Sequence, residues 1–185
     1  ELDPEARFDP VALEKIQAAF MAELPPNDGH RQNILKPVHK QLGIGLAIPV
    51  GVDQPCMAQE FVDDYGDYDE LPRKAKLGDT ITVSGEVEDP VQFGGVGIGR
   101  IDAQKPLSAQ HLNSTSVYRV PEPFVLYFPA GFKTPKPVSV KGKSFTIEVA
   151  LSDQGRAGRY GVSIWGKYPG DKALVMVSLR TIDVE

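Results

Sequence analysis

The sequence predicts an α+β chain in two parts, a short helix-and-hairpin unit followed by an all-β sandwich. Three observations carry that expectation. Residues 9–24, DPVALEKIQAAFMAEL, repeat apolar side chains at helical spacing. Residues 41–66 change to a branched apolar run, a turn and an alternating run. From residue 80 onward the β-prone runs follow one another, separated by Gly, Pro and Asp.

The helix has a start and a stop. Asp9 suits the N-cap and Pro10 the first helical position, where a missing N–H costs nothing. Leu13, Ile16, Phe20 and Leu24 form one apolar stripe, and Pro25-Pro26 ends it. Asp28 is placed to cap a second, shorter helix through Leu35, which Pro37 closes. QLGIGLAIPV reads as a strand of about eight residues. In CMAQEFVDDYG, Met57, Gln59 and Phe61 point one way and Ala58, Glu60 and Val62 the other. The two strands pair as an antiparallel hairpin.

The stretch YGDYDELPRKAKLGD is charged and has no period, and a domain boundary is expected inside it, near residue 70. Its basic run PRKAK is flanked by Asp67, Asp69, Glu70 and Asp79, so it reads as a solvated linker. TITVSGEVED, VGIGRID, PFVLYFP, SFTIEVAL, RYGVSIWGKY and ALVMVSLRTIDVE then supply strands at the spacing of an immunoglobulin-like sandwich. Phe145 and Trp165 are its expected core anchors. The domains are therefore 1–70 and 71–185.

Composition narrows the function. The chain has 185 residues, 41% of them hydrophobic, enough for a real core. A formal net charge of −5 argues against nucleic-acid and anionic-membrane surfaces, which reward clustered Lys and Arg. No apolar run reaches the length of a transmembrane helix. The single cysteine, Cys56, forms no internal disulfide and is expected to be a buried apolar residue.

Few motifs survive scrutiny. GGVGIG at 94–99 is followed by Arg100-Ile101-Asp102 in strand-like pattern, not by a helix, so it reads as a glycine-rich strand or bulge rather than a phosphate loop. Asn113-Ser114-Thr115 satisfies the N-glycosylation pattern, which matters only in a eukaryotic secretory setting. His30 and His39 are not at the spacing of a helical zinc site, and no G-x-S-x-G nucleophile elbow is present. The run DGHRQNIL at 28–35 remains, with His30 its chemical centre.

Three linked elements carry a family resemblance: Gly29-His30-Arg31-Gln32-Asn33-Ile34-Leu35, Gly43-Ile44-Gly45-Leu46 and Gln59-Glu60-Phe61. In order and spacing, over roughly residues 10–66, they resemble the C-terminal half of a CAP domain of the bacterial branch. CAP is the superfamily of cysteine-rich secretory proteins, antigen 5 and pathogenesis-related 1 proteins. The resemblance implies an α/β/α sandwich with a cleft holding two histidines and two acidic residues, which in several members bind a divalent metal such as zinc. It carries His30 onto the second histidine and Glu23 onto the second acid. The half with the first histidine and first acid is not matched. It is expected as a companion fragment or chain, this sequence being the C-terminal piece of a processed precursor; the alternative is that the helix and hairpin pack on the β domain or on a neighbouring copy.

Two function classes follow. The first is a secreted, periplasmic or cell-surface binding protein, whose CAP-like cleft takes a small hydrophobic or envelope-derived ligand. The second is a metal-assisted hydrolase or peptidase, with His30 as metal ligand or general base and Glu23 as its acid–base partner. A catalytic zinc usually needs three protein ligands, which weighs against the enzyme. A bland role for His30, a capping or buried hydrogen bond, stands beside both. Arg31 is expected in a salt bridge and Asn33 on nearby backbone.

Overall fold

The computed structural model describes residues 7–51, 54–101, 106–115 and 122–185. The chain divides into two compact units, 1–64 and 65–185.

In the first unit, helix α1 spans Pro10–Met21. The Asp9 side chain accepts the Val11 N–H at 3.0 Å, and Pro10 opens the helix. The helix stops three residues before the expected Leu24, which is 76% exposed. Pro25 disfavours helical backbone at the residue before it, so the stripe ends early. Helix α2 spans Gly29–Leu35. Strands β1 (Gln41–Ala47) and β2 (Cys56–Val62) form the expected antiparallel hairpin, with Leu42 opposite Phe61, Ile44 opposite Gln59 and Leu46 opposite Met57. Opposed residues share a face. On that face Met57, Gln59 and Phe61 are half-buried, whereas Leu42 and Ile44 of β1 are 51% and 58% exposed. Cys56 corrects the expectation of a buried thiol: it lies on the other face of β2, with Ala58, Glu60 and Val62, and is exposed.

The second unit is a β-sandwich. In chain order its strands are β3 (Gly66–Tyr68), β4 (Lys74–Ala75), β5 (Thr80–Val87), β6 (Gln92–Ile101), β7 (Val125–Tyr127), β8 (Ser139–Lys141), β9 (Ser144–Ala150), β10 (Gly158–Lys167) and β11 (Val175–Val184). One turn-and-a-half helix, α3 (Ala109–Ser114), interrupts them. One sheet runs β3-β5-β9-β8 and the other β4-β11-β10-β6-β7. With β4 parallel to β11 and the other neighbours antiparallel, this is an immunoglobulin-like strand order, its first strand divided between the two sheets. The charged stretch expected as a linker is thus partly sheet. The first sandwich strand begins before residue 70, and Lys74–Ala75 of the basic run pairs with Asp183 and Val184. Short edge strands carry too little hydrophobic pattern to announce themselves. The glycosylation-type sequon falls at the end of α3.

Both sheets contribute to one core. Ile81, Val83, Phe145, Ile147 and Val149 face Val96, Ile98, Tyr160, Val162, Ile164 and Ile182. Phe145 is 2% exposed and stacks on Phe93 at 4.4 Å. Trp165 departs from expectation. Tyr160, Val162 and Ile164 alternate into the core, so Trp165 lies on the opposite face of β10 with Ser163, half-buried. Its Nε1 donates to Ser163 Oγ at 2.8 Å, and Ser163 Oγ donates to the Gly97 carbonyl at 3.2 Å.

That pair explains the glycine-rich run. Gly97 sits opposite Ser163, and a Cβ there would lie 2.5 Å from Ser163 Oγ and 2.8 Å from Trp165 Nε1. A Cβ at Gly95 would meet the Tyr127 carbonyl at 2.6 Å, and one at Gly99 the Glu122 carbonyl at 3.1 Å. Alternate residues of β6 are glycine because other groups already occupy the space on that face.

Tyr160 closes one corner. Its hydroxyl donates to the Arg156 carbonyl at 2.6 Å and accepts the Asp153 N–H at 2.9 Å. A tyrosine near the start of this strand, bonded to backbone a few residues upstream, is the tyrosine corner of such sandwiches. The Asp153 carboxylate, 5% exposed, receives Arg156 Nη2 at 2.6 Å and Arg100 Nε at 3.1 Å. The Arg156 guanidinium, then Arg100, holds the Asp153 carboxyl below its usual range despite desolvation.

Two substitutions test this account by urea unfolding. Tyr160→Phe orphans a buried N–H and removes the bond to Arg156, and is expected to cost about 1–3 kcal/mol. Gly97→Ala forces a methyl against Ser163 and Trp165, and overpacking of this kind costs about 1–3 kcal/mol. A change below about 0.5 kcal/mol in either would contradict the geometry.

Candidate functional site

α2 is too short to stand alone, so what anchors its first turn matters. Asp28 occupies the N-cap position, but its side chain makes no capping bond. It is 5% exposed and accepts Gln32 Nε2 at 2.7 Å instead. The cap comes from Glu23, before the double proline. Glu23 Oε2 accepts the His30 N–H at 2.9 Å and the Arg31 N–H at 3.4 Å. Its other oxygen, Oε1, lies 2.6 Å from His30 Nδ1. The bond from His30 holds the Glu23 carboxyl below its usual range, helped by the two amides and opposed by desolvation. An ionised Glu23 can only accept, so Nδ1 donates to it, and Nε2 is the ring atom left to face the cleft.

The His30 ring also stacks on Phe20 of α1, with centroids 4.4 Å apart and planes within 10°. The two contacts fix the ring in position and tautomer. Beside it lies a cleft of about 220 Å³. α1 and α2 contribute Phe20, His30, Asn33 and Ile34, and β2 contributes Gln59 and Phe61. Gln59 Nε2 donates to Gln17 Oε1 at 2.8 Å, tying strand to helix.

A second histidine clips the far end of α2. His39 Nδ1 lies 2.5 Å from Asp63 Oδ1, and His39 Nε2 lies 2.8 Å from the Asn33 carbonyl. Lys36 Nζ donates to Asp63 Oδ2 at 2.8 Å. The His39 ring stacks on Phe61 at 4.5 Å. Partial burial pushes the Asp63 carboxyl up, but the hydrogen bonds from Lys36 and His39 outweigh it and leave the carboxyl below its usual range.

Glu23 and His30, the two residues expected at the site, are therefore together, but as partners of one another. Both Glu23 oxygens are engaged, and His30 has one ring nitrogen left. Among the described residues, no group of three or more His, Cys, Asp or Glu side chains could hold a metal ion. The residues present do not by themselves fit a zinc site, which usually takes three protein ligands or more. No salt bridge of Arg31 is found among the described residues; its backbone N–H goes to Glu23. Asn33 bonds through its backbone carbonyl, to His39 and to the Lys36 N–H.

His39 and Asp63 were not expected as a pair. The hairpin register held the signal. Once Gln41 faces Val62, Asp63 falls opposite Lys40, one residue from His39 and within reach of its ring.

Two measurements follow. Glu23→Ala removes the cap, so the His30 and Arg31 amides should exchange hydrogen faster than in the wild type; unchanged rates would exclude capping by Glu23. Asp63, with a folded pKa below its unfolded one, stabilises the fold fully above the unfolded pKa and loses that contribution as pH falls through the folded value. The stability gap between wild type and Asp63→Asn should therefore shrink as pH drops through and below the ordinary carboxylate range, and a gap that widens there would contradict the clip.

No protein-family model matches the chain. No curated protein matches it either. Among solved structures the chain is similar to a crystal structure of the swine CD8aa homodimer, at 15% identity and a TM-score of 0.31. The match covers 64% of this chain and 97% of that one. The sandwich assignment rests on strand order and core, not on that overlap.

Proposed function

We propose that this is a binding protein of CAP type acting outside the cytoplasm, its helix–hairpin cleft taking a small apolar ligand. One observation carries the reading. Two of the three sequence elements that resemble the bacterial CAP pattern meet at one cleft: His30, Asn33 and Ile34 from the first, Gln59, Glu60 and Phe61 from the last. The middle element, Gly43 to Leu46, is the strand hydrogen-bonded beside the last. Side chains from two distant stretches of the sequence form one concave surface, where Phe20, Ile34, Met57 and Phe61 alternate with His30, Asn33, Gln59 and Glu60, an apolar recess with a few convergent polar groups as small-molecule sites have.

The exposed row Leu42, Ile44 and Leu46 on β1 supports the second half of the proposal. A two-stranded hairpin is marginal in water, and these side chains gain burial only when something covers them. The proposed cover is a polypeptide segment resembling the other half of a CAP domain, which would also supply the remaining histidine and acid. Within this reading His30 presents Nε2 to ligand or to that segment, and Glu23 positions it. Binding is favoured over hydrolysis because Glu23 is already occupied as cap and orienter.

The test is native mass spectrometry of the protein isolated from its source. A companion polypeptide bound alongside the 20.1 kDa chain is expected. A folded monomer of that mass, with no companion and no further segment, would overturn the reading. In the complex, His30→Ala should weaken binding of a fatty-acid panel by about tenfold or more, the loss of one oriented hydrogen bond and a ring contact. Panel binding unaltered by the substitution would remove His30 from the site.

A further inference from the structure

We infer that the sandwich holds a site for a small amphipathic carboxylate, built wholly from its own residues. A cavity of about 300 Å³ opens among the ends of β6, β7 and β10 and the turns beside them. Phe93, Phe128, Phe132 and Leu174 form its apolar lining, and Lys167 and Lys172 stand on it. The volume is at the small end for ligand sites, so it suits a medium-length alkyl chain or a single aromatic ring and excludes a peptide or nucleotide.

Three features point to the occupant. The lining contains two cations and no Asp or Glu, so its field favours an anionic head. Neither lysine belongs to an ion pair among the described residues. An anion arriving there displaces no internal partner. Phe132, 68% exposed, and Phe128 form a tilted pair at 6.3 Å, leaving a large aromatic face in water that an alkyl chain would cover.

Gly94 adds a geometric argument. A Cβ there would collide with Leu174 Cδ2, so glycine is what lets Leu174 lie against β6 as one wall of the cavity. Phe93 links the site to the core through its stack on Phe145, which fixes one wall rigidly. The remaining polar side chain of the lining, Gln92, is neutral and able to donate to a carboxylate. An apolar recess with cations and a neutral donor is the complement of an acid with an apolar tail. A zwitterion or a cation would meet the wrong charge at the rim.

Decanoate is the probe and decan-1-ol its uncharged control, read by calorimetry and by amide shifts in the intact protein. Saturable decanoate binding is expected, with shifts at Gly94, Phe132 and Leu174. Decan-1-ol should bind about threefold to fivefold more weakly, the worth of one favourable charge pair at a solvent-reached rim. Lys167→Glu with Lys172→Glu should lower decanoate affinity by about tenfold or more and leave decan-1-ol unchanged. Phe132→Ser, a surface change that keeps the core intact, should weaken both. Equal affinity for acid and alcohol would overturn the inference, as would a charge-reversed protein that binds decanoate as before. Shifts confined to Phe20, His30 and Phe61 would place decanoate in the helix–hairpin cleft; that outcome supports the proposed function and sinks this site.

Discussion

The Glu23 carboxylate holds the first turn of α2 and the ring of His30 at once, and the geometry of the cleft follows from that double use. A seven-residue helix has four unsatisfied N–H groups at its start and little cooperativity of its own. One oxygen serves two of those amides, and the other accepts the hydrogen bond from His30 Nδ1. The negative charge also sits at the positive end of the helix. Glu23 reaches α2 across the double proline that ends α1. The two helices, the stacked Phe20–His30 pair and the wall of the cleft are thereby set by one side chain.

The opposite end of α2 is held by different chemistry. There the helix carbonyls need donors, and His39 gives one to Asn33 while its other nitrogen faces Asp63. Asp63 is also bonded to Lys36, so the strand end, the loop and the helix end converge on one carboxylate. Carboxylate at each end, with histidine between carboxylate and helix, gives the short helix two fixed points. The sandwich has no cysteine, so no disulfide of its own fixes it. Val162, two residues after the corner tyrosine, stands where antibody-type domains carry the second cysteine of their pair, and it is fully buried in the core together with Val83. Apolar packing around Val162 and the Asp153–Arg156–Arg100 cluster hold this part of the domain together.

Much of the architecture is legible in residue pattern. Asp9-Pro10 marks the start of α1, and the alternation of CMAQEFV yields both the strand and its half-buried face. The long sandwich strands announce themselves by β-branched runs. What pattern misses is short or contextual. β3, β4 and β8 have two or three residues each, too few for a period. Trp165 is apolar enough for a core, yet the parity of β10 gives the core to Tyr160, Val162 and Ile164. Parity depends on register, which a sheet decides as a whole. At the site, His30 is visible in its motif. The capping role of Glu23 is not, because local rules assign the cap to Asp28, and only the folded turn brings a residue seven positions away from His30 into range.

The strand β6 has a consequence for how this domain can change over time. Along it, Gly95, Gly97 and Gly99 project nothing, and the space beside them belongs to Tyr127, Ser163, Trp165 and Glu122. Information about that face is stored in the neighbours rather than in the strand itself. A neighbour can shrink or shift with modest loss, since a glycine never competes for the vacated volume. A glycine can grow only after a neighbour has first receded. The order of substitutions is therefore constrained in one direction: the face can be remodelled from its surroundings inward, and hardly ever from β6 outward.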